Sequence, residues 1–168
     1  MEVIQFNAKF PGSTHDAAVW QGSNLSVALE ESYIQGTTGE WLLGDSGYAQ
    51  LPWLMTPYAN VEDNTPEARY NIAHANTRVL IERCFGLMKA RFRCLHKHRT
   101  LHYEPVKASK IIAAVATLHN LALQRNDPLP NELEIHEERH DPIAADQNAP
   151  FALAARRLRE EIVRRYFI

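Results

Sequence analysis

The sequence has little sulfur and no framework built on it. Two cysteines, Cys84 and Cys94, stand in 168 residues. Two cannot form a disulfide scaffold, and they fit a reducing compartment such as cytosol or nucleus. Ten residues apart on one expected helix, they cannot pair with each other while that helix is intact. Glycine is scarce as well, at seven. None of the seven belongs to a phosphate-cradling loop or a nucleophile elbow, which removes the commonest nucleotide-binding and serine-hydrolase motifs. No apolar run approaches the roughly 20 residues that cross a bilayer. Met1-Glu2 leads straight into strand-like sequence, with no basic stretch and apolar core, so no signal peptide is expected. What is present is globular: 45% hydrophobic and 23% charged residues exclude a chain that is disordered throughout. At this length a domain buries a core without staples, since domains of about 150 residues remove roughly 70% of their unfolded surface from water.

The formal net charge of −2 conceals four unlike blocks. Residues 1–77 carry two basic and nine acidic side chains, whereas residues 78–126 carry ten basic and two acidic. Residues 127–146 return to acid, with one basic and seven acidic, and residues 147–168 hold five basic and two acidic. A strongly basic block inside a neutral total points to a surface that faces a polyanion.

Along the chain, Ile4, Phe6, Ala8 and Phe10 alternate with polar residues and predict a strand, closed by Pro11-Gly12-Ser13. Ser13 or Thr14 is placed to cap a helix containing Ala17, Val19 and Trp20, and Ser23-Asn24 to open a second over Leu25–Ser32. Trp41-Leu42-Leu43-Gly44-Asp45 reads as a short strand buried on both faces. Leu51–Tyr58, with Pro52 and Pro57, reads as an apolar loop or edge segment. Thr65-Pro66-Glu67 is a strong helix start, with a capping hydroxyl, a proline at the first position and an acid at the positive end. That helix is expected to reach Leu95, with Ile81, Phe85, Met88, Phe92 and Leu95 as its apolar stripe. A further helix is expected from Pro105 to Gln124. The domain reading is therefore 1–125 as a folded unit, 126–150 as an acidic, disordered linker and 151–168 as a basic amphipathic helix.

Asn71, Arg78, Glu82, Lys89 and Arg93 fall within an arc of roughly 60° on the long helix. Spacing alone allows a surface ion pair between Arg78 and Glu82, four residues apart. Asp45 ends a strand before a glycine, which suits either an Asx turn or a carboxylate aimed into a crevice. An Asp at a strand end and a Glu on a later helix can converge on a hard divalent cation, and a two-metal site would need at least a third carboxylate.

Five blocks in order carry a resemblance. They are Pro11-Gly12-Ser13-Thr14-His15-Asp16 with Val19-Trp20, Leu43-Gly44-Asp45-Ser46-Gly47-Tyr48, and Trp53-Leu54-Met55-Thr56-Pro57-Tyr58. Arg69-Tyr70-Asn71 leads into Arg78-Val79-Leu80-Ile81-Glu82-Arg83-Cys84-Phe85-Gly86 with Lys89-Ala90-Arg91-Phe92-Arg93, and Leu118-His119-Asn120 follows. Over residues 3–125 this resembles the transposase-derived nucleases of the PIF/Harbinger type, a group of DDE superfamily endonucleases. The resemblance implies an α/β, ribonuclease-H-like mixed sheet flanked by helices, with a helix-rich C-terminal half. It also implies an Asp-Asp-Glu site that cuts DNA with Mg²⁺ or Mn²⁺, in which Asp45 matches the second Asp and Glu82 the Glu. The family's first Asp lies on a strand upstream of every block matched here, so the sheet is expected to lack its first strands. The helix-turn-helix-like DNA-binding region usual in the family has no match either. Two readings follow: an N-terminally incomplete nuclease, or an inactive transposase remnant that binds DNA or protein. Family members also suggest the nucleus, with cytoplasm as the alternative, and a DNA-binding partner protein. No membrane and no small-molecule cofactor are expected.

The remaining signals are weaker. Arg78, Lys89, Arg91, Arg93, Lys97 and Arg99 form the expected DNA-contact set, each neutralised phosphate adding to a salt-dependent affinity. Cys94, His96, His98 and His102 match no structural zinc spacing. Asp16 is expected to cap a helix outside the metal triad. His119-Asn120 reads as a hydrogen-bonding pair inside its helix, with a catalytic histidine as the alternative. The five arginines of the tail suit nucleic acid, a partner groove, a membrane surface or plain solvation.

Overall fold

A computed structural model describes residues 1–11, 13–96, 101–128 and 150–168. The elements run α1 (Asp16–Gln21), α2 (Asn24–Ile34), β1 (Leu42–Leu43), β2 (Leu54–Met55), α3 (Pro66–Arg91), a 3-10 turn (Arg93–Leu95), α4 (Pro105–Gln124) and α5 (Ala152–Tyr166). The class is α/β and helix-rich, with two parallel strands in the described residues. Two compact units divide the chain. The first comprises residues 1–13 and 78–138, the second residues 14–77 and 139–168.

In the second unit, Ser23 caps α2 as expected, its hydroxyl accepting from the Ser26 N–H at 3.1 Å. α1 has no such cap. It starts after His15, which makes no side-chain capping bond, rather than from Ser13 or Thr14. β2 falls inside the segment read as a loop. Pro52 and Pro57 flank the pairing instead of interrupting it, so Leu42 N donates to Trp53 O and Gly44 N to Met55 O, both at 2.9 Å. Trp53, Leu54 and Met55 are buried, whereas Leu42 and Leu43 are about two-fifths exposed (38% and 40%). The expected burial of β1 on both faces is thus corrected: among the described residues it pairs on one side only, with β2.

α5 packs onto the end of β2. Its Ala155 and Val163 are buried, and Arg159 Nη1 donates to the carbonyls of Thr56 (3.1 Å) and Pro57 (3.2 Å). The same guanidinium lies 3.8 Å from the centre of the Tyr58 ring. Asn71 of α3 brackets that loop, accepting from Tyr58 N at 2.9 Å and donating to Tyr58 O at 3.0 Å. A side-chain amide therefore replaces a missing strand neighbour, each bond contributing about 1 kcal/mol. Tyr70 is buried beneath, its hydroxyl donating to Thr56 O, and burial pushes its pKa up to about 12.

The first unit repeats the device. Asn120 of α4 accepts from Val3 N at 2.9 Å and donates to Val3 O at 2.8 Å. The predicted strand over residues 2–10 does not form. These residues belong to no regular element, and Ile4 is 98% exposed. Alternation supplies a face but not a ladder. With no neighbouring strand among the described residues, the segment takes its pairing from one asparagine. The core here is Cys84, Met88, Val115 and Ala116, with Val3, Phe92, Cys94 and Leu95 packed against it.

α3 starts at the expected Pro66 but ends at Arg91, short of Leu95. Its stripe holds at Met88, Phe92 and Leu95, which are buried or packed against the core, and is corrected at its start. Ile81 and Phe85 are exposed, and Cys84, Leu87 and Met88 take the buried face. α4 matches its expected bounds. By length and composition it is apolar enough to cross a membrane, which corrects the expectation that no run approaches that length. Its polar pair His119-Asn120 instead binds the backbone of Met1 and Val3. The acidic linker expected over 126–150 lies mostly outside the described residues, and α5 falls within the expected tail helix.

Candidate functional site

Asp45 follows β1 by two residues, and the local sequence fixes it there. Its Oδ1 accepts from Gly47 N at 2.9 Å, an Asx turn, and Tyr48 N closes on Asp45 O at 3.3 Å. Gly44 is required by close approach: a Cβ there would meet the Tyr48 ring at 3.1 Å and Leu54 Cδ1 at 3.2 Å. Tyr48 in turn meets Trp20 edge-on, the ring centres 6.3 Å apart. The Gly-Asp-Ser-Gly-Tyr block is thus a folded-back turn that presents a half-buried carboxylate at the carboxyl end of a parallel strand. Parallel α/β sheets bind ligands at that end of their strands.

Glu82 is half-buried on α3, as are Arg78 and Lys89. Asp45 belongs to the second unit and Glu82 to the first. The expected common face does not extend through Arg93, which lies beyond the helix end in the 3-10 turn and is exposed. Arg91 is turned to its own chain: Nη2 donates to Asp127 O at 3.1 Å and Pro128 O at 3.5 Å, and Nη1 is buried with no partner. Lys97 and Arg99 lie outside the described residues.

His119 is fully buried, its Nε2 3.1 Å from Met1 O and 3.7 Å from Cys84 Sγ. Burial pushes the Cys84 thiol up, so it stays protonated and unreactive at neutral pH. These two side chains are core, out of reach of a substrate. Among the described residues, no three His, Cys, Asp or Glu side chains cluster as a metal site. The carboxylate oxygens of Asp45 and of Glu82, each in its own unit, are the donor type that hard divalent cations such as Mg²⁺ and Mn²⁺ take.

The sequence reading missed Gln50 and Arg159 as organisers of this region. Gln50 Oε1 accepts from both Thr56 N (2.8 Å) and Thr56 Oγ1 (3.0 Å), fixing the residue after β2. Both bind backbone groups, Thr56 N and the Thr56 and Pro57 carbonyls, which every sequence carries and which therefore give little signal.

A family model described as DDE superfamily endonuclease matches residues 1–120, and the chain belongs to that family. It is 36% identical to the human protein named "Putative nuclease HARBI1", over 98% of this chain and 47% of the relative. The bovine protein of that name is 39% identical over 73% of this chain and 34% of its own length. "Protein ALP1-like" of Arabidopsis thaliana is 24% identical over 84% of this chain and 37% of its own. The chain spans less than half the length of these relatives. The resemblance to transposase-derived nucleases of the Harbinger type stands on these matches. No solved structure matches the chain.

Proposed function

We propose that this sequence supplies the second Asp and the Glu of a ribonuclease-H-like Asp-Asp-Glu site that hydrolyses DNA phosphodiesters. The observation that carries the reading is the Asp45 turn, a carboxylate held by Gly47 at the end of a parallel strand inside a DDE superfamily endonuclease match. Asp45 and Glu82 would hold Mg²⁺ or Mn²⁺ together with a carboxylate from the upstream strand. When bound, the divalent ion activates water and stabilises charge on the leaving oxygen. Asp45 keeps one orientation through its turn. Arg78, Lys89 and Arg93, with Lys97 and Arg99, offer positive charge to the DNA backbone. The site of action is the nucleus, beside a DNA-binding partner.

The test is nicking of supercoiled plasmid by a protein that spans the relatives' full length and contains this sequence. Nicking in Mg²⁺ or Mn²⁺, abolished by EDTA, is the expected result. Salt-dependent DNA binding without nicking in any metal would overturn it in favour of an inactive DNA-binding remnant. Neither binding nor nicking would overturn both.

A further inference from the structure

The second unit contains a cavity on which the nuclease reading makes no demand. It has a volume of about 170 Å³ and is lined by Tyr33, Trp41, Trp53, Pro52 and Leu158, with Glu40 as its charged group. At about 30 Å³ per water, that is room for five or six heavy atoms. The aromatic wall is closely packed. Tyr33 and Trp53 lie 5.4 Å apart between centres, and Phe151 packs edge-on against both, at 5.8 and 5.4 Å. Trp53 is buried, whereas Trp41 is 39% exposed at the mouth and Glu40 is exposed beside it.

Aromatic faces carry negative potential and attract cations, best those with little hydration to lose. A carboxylate on the rim adds to that preference. Among the described residues, no Lys or Arg lines the cavity. The described residues of the unit around it carry ten acidic against six basic side chains. A trimethylammonium group with the methylene that carries it, five heavy atoms, matches the volume, and the acidic surroundings match a basic peptide. Phosphocholine would bring a phosphate that no lining cation receives. The geometry points to a recognition site for a methylated lysine in a basic peptide of a partner protein, with the ammonium against Trp41, Tyr33 and Trp53 and its charge facing Glu40.

The test titrates the 168-residue chain with three versions of one short basic peptide, followed by tryptophan fluorescence and calorimetry. The versions carry trimethyl-lysine, unmodified lysine, or the neutral isostere in which a tert-butyl group replaces the trimethylammonium. Trimethyl-lysine is expected to bind at least tenfold tighter than either control. Trp41→Ala and Glu40→Gln should each weaken it at least fivefold, with unchanged circular dichroism because both side chains are exposed. Equal binding of the isostere would overturn the proposal in favour of a merely apolar pocket. Phosphocholine binding as tightly as the peptide would overturn it in favour of a lipid headgroup, and absence of saturable binding would overturn it outright.

Discussion

Asp45→Asn and Glu82→Gln are each expected to lower metal-dependent nicking by about a thousandfold, or ~4 kcal/mol of transition-state stabilisation. The Asn substitution at 45 separates two roles of one side chain. Its amide oxygen still accepts from Gly47 N, so the Asx turn survives. What is lost is the negative charge, and with it affinity for a hard cation. Nicking should therefore fall far more than thermal stability does. Asp45→Ala removes turn and charge together and should cost stability as well. Nicking within a few-fold of the native rate in Asp45→Asn would show that the residue is only a turn former. The same outcome in Glu82→Gln would assign Glu82 to the helix surface.

Arg159→Ala is expected to destabilise the chain by about 2–4 kcal/mol. The guanidinium donates to two carbonyls at the end of β2 and lies 3.8 Å from the Tyr58 ring centre. Bonds from a charged donor are each worth about 1.5–3 kcal/mol and the ring contact about 0.5–2, while the freed carbonyls regain some water. Arg159→Lys should recover little, because one ammonium cannot reproduce a planar fork over a ring. Urea unfolding followed by circular dichroism reads the difference, and a change below about 0.5 kcal/mol would contradict it. The consequence reaches Asp45 because, among the described residues, β2 pairs with β1, and β1 leads into Asp45.

The parts legible in the sequence were those decided locally. The bounds of α4 and the start of α3 follow from a proline at the first helical position, and α2 from its serine cap. The Asp45 turn was legible for the same reason, as an Asp before a Ser-Gly pair. What was not legible depends on partners elsewhere. Alternation over residues 2–10 predicts a strand, but a strand needs a neighbour, and Asn120 supplies only one pair of bonds. The prolines around β2 mimic a loop because sequence does not show that both lie outside the pairing. The buried face of α3 turns toward Cys84 and Leu87 because the surrounding segments, not its own periodicity, decide which side is covered. Arg91 and Arg159 look like DNA-facing charge until their backbone acceptors are seen.

The central proposal is that Asp45 and Glu82 are both ligands of a divalent-metal site. Its most direct test is Mn²⁺ binding by electron paramagnetic resonance, in a protein that spans the relatives' full length. The native protein should remove the signal of free Mn²⁺ at stoichiometric concentration, and Asp45→Asn and Glu82→Gln should each restore it, raising Kd at least tenfold. Mn²⁺ affinity unchanged by either substitution would contradict the account.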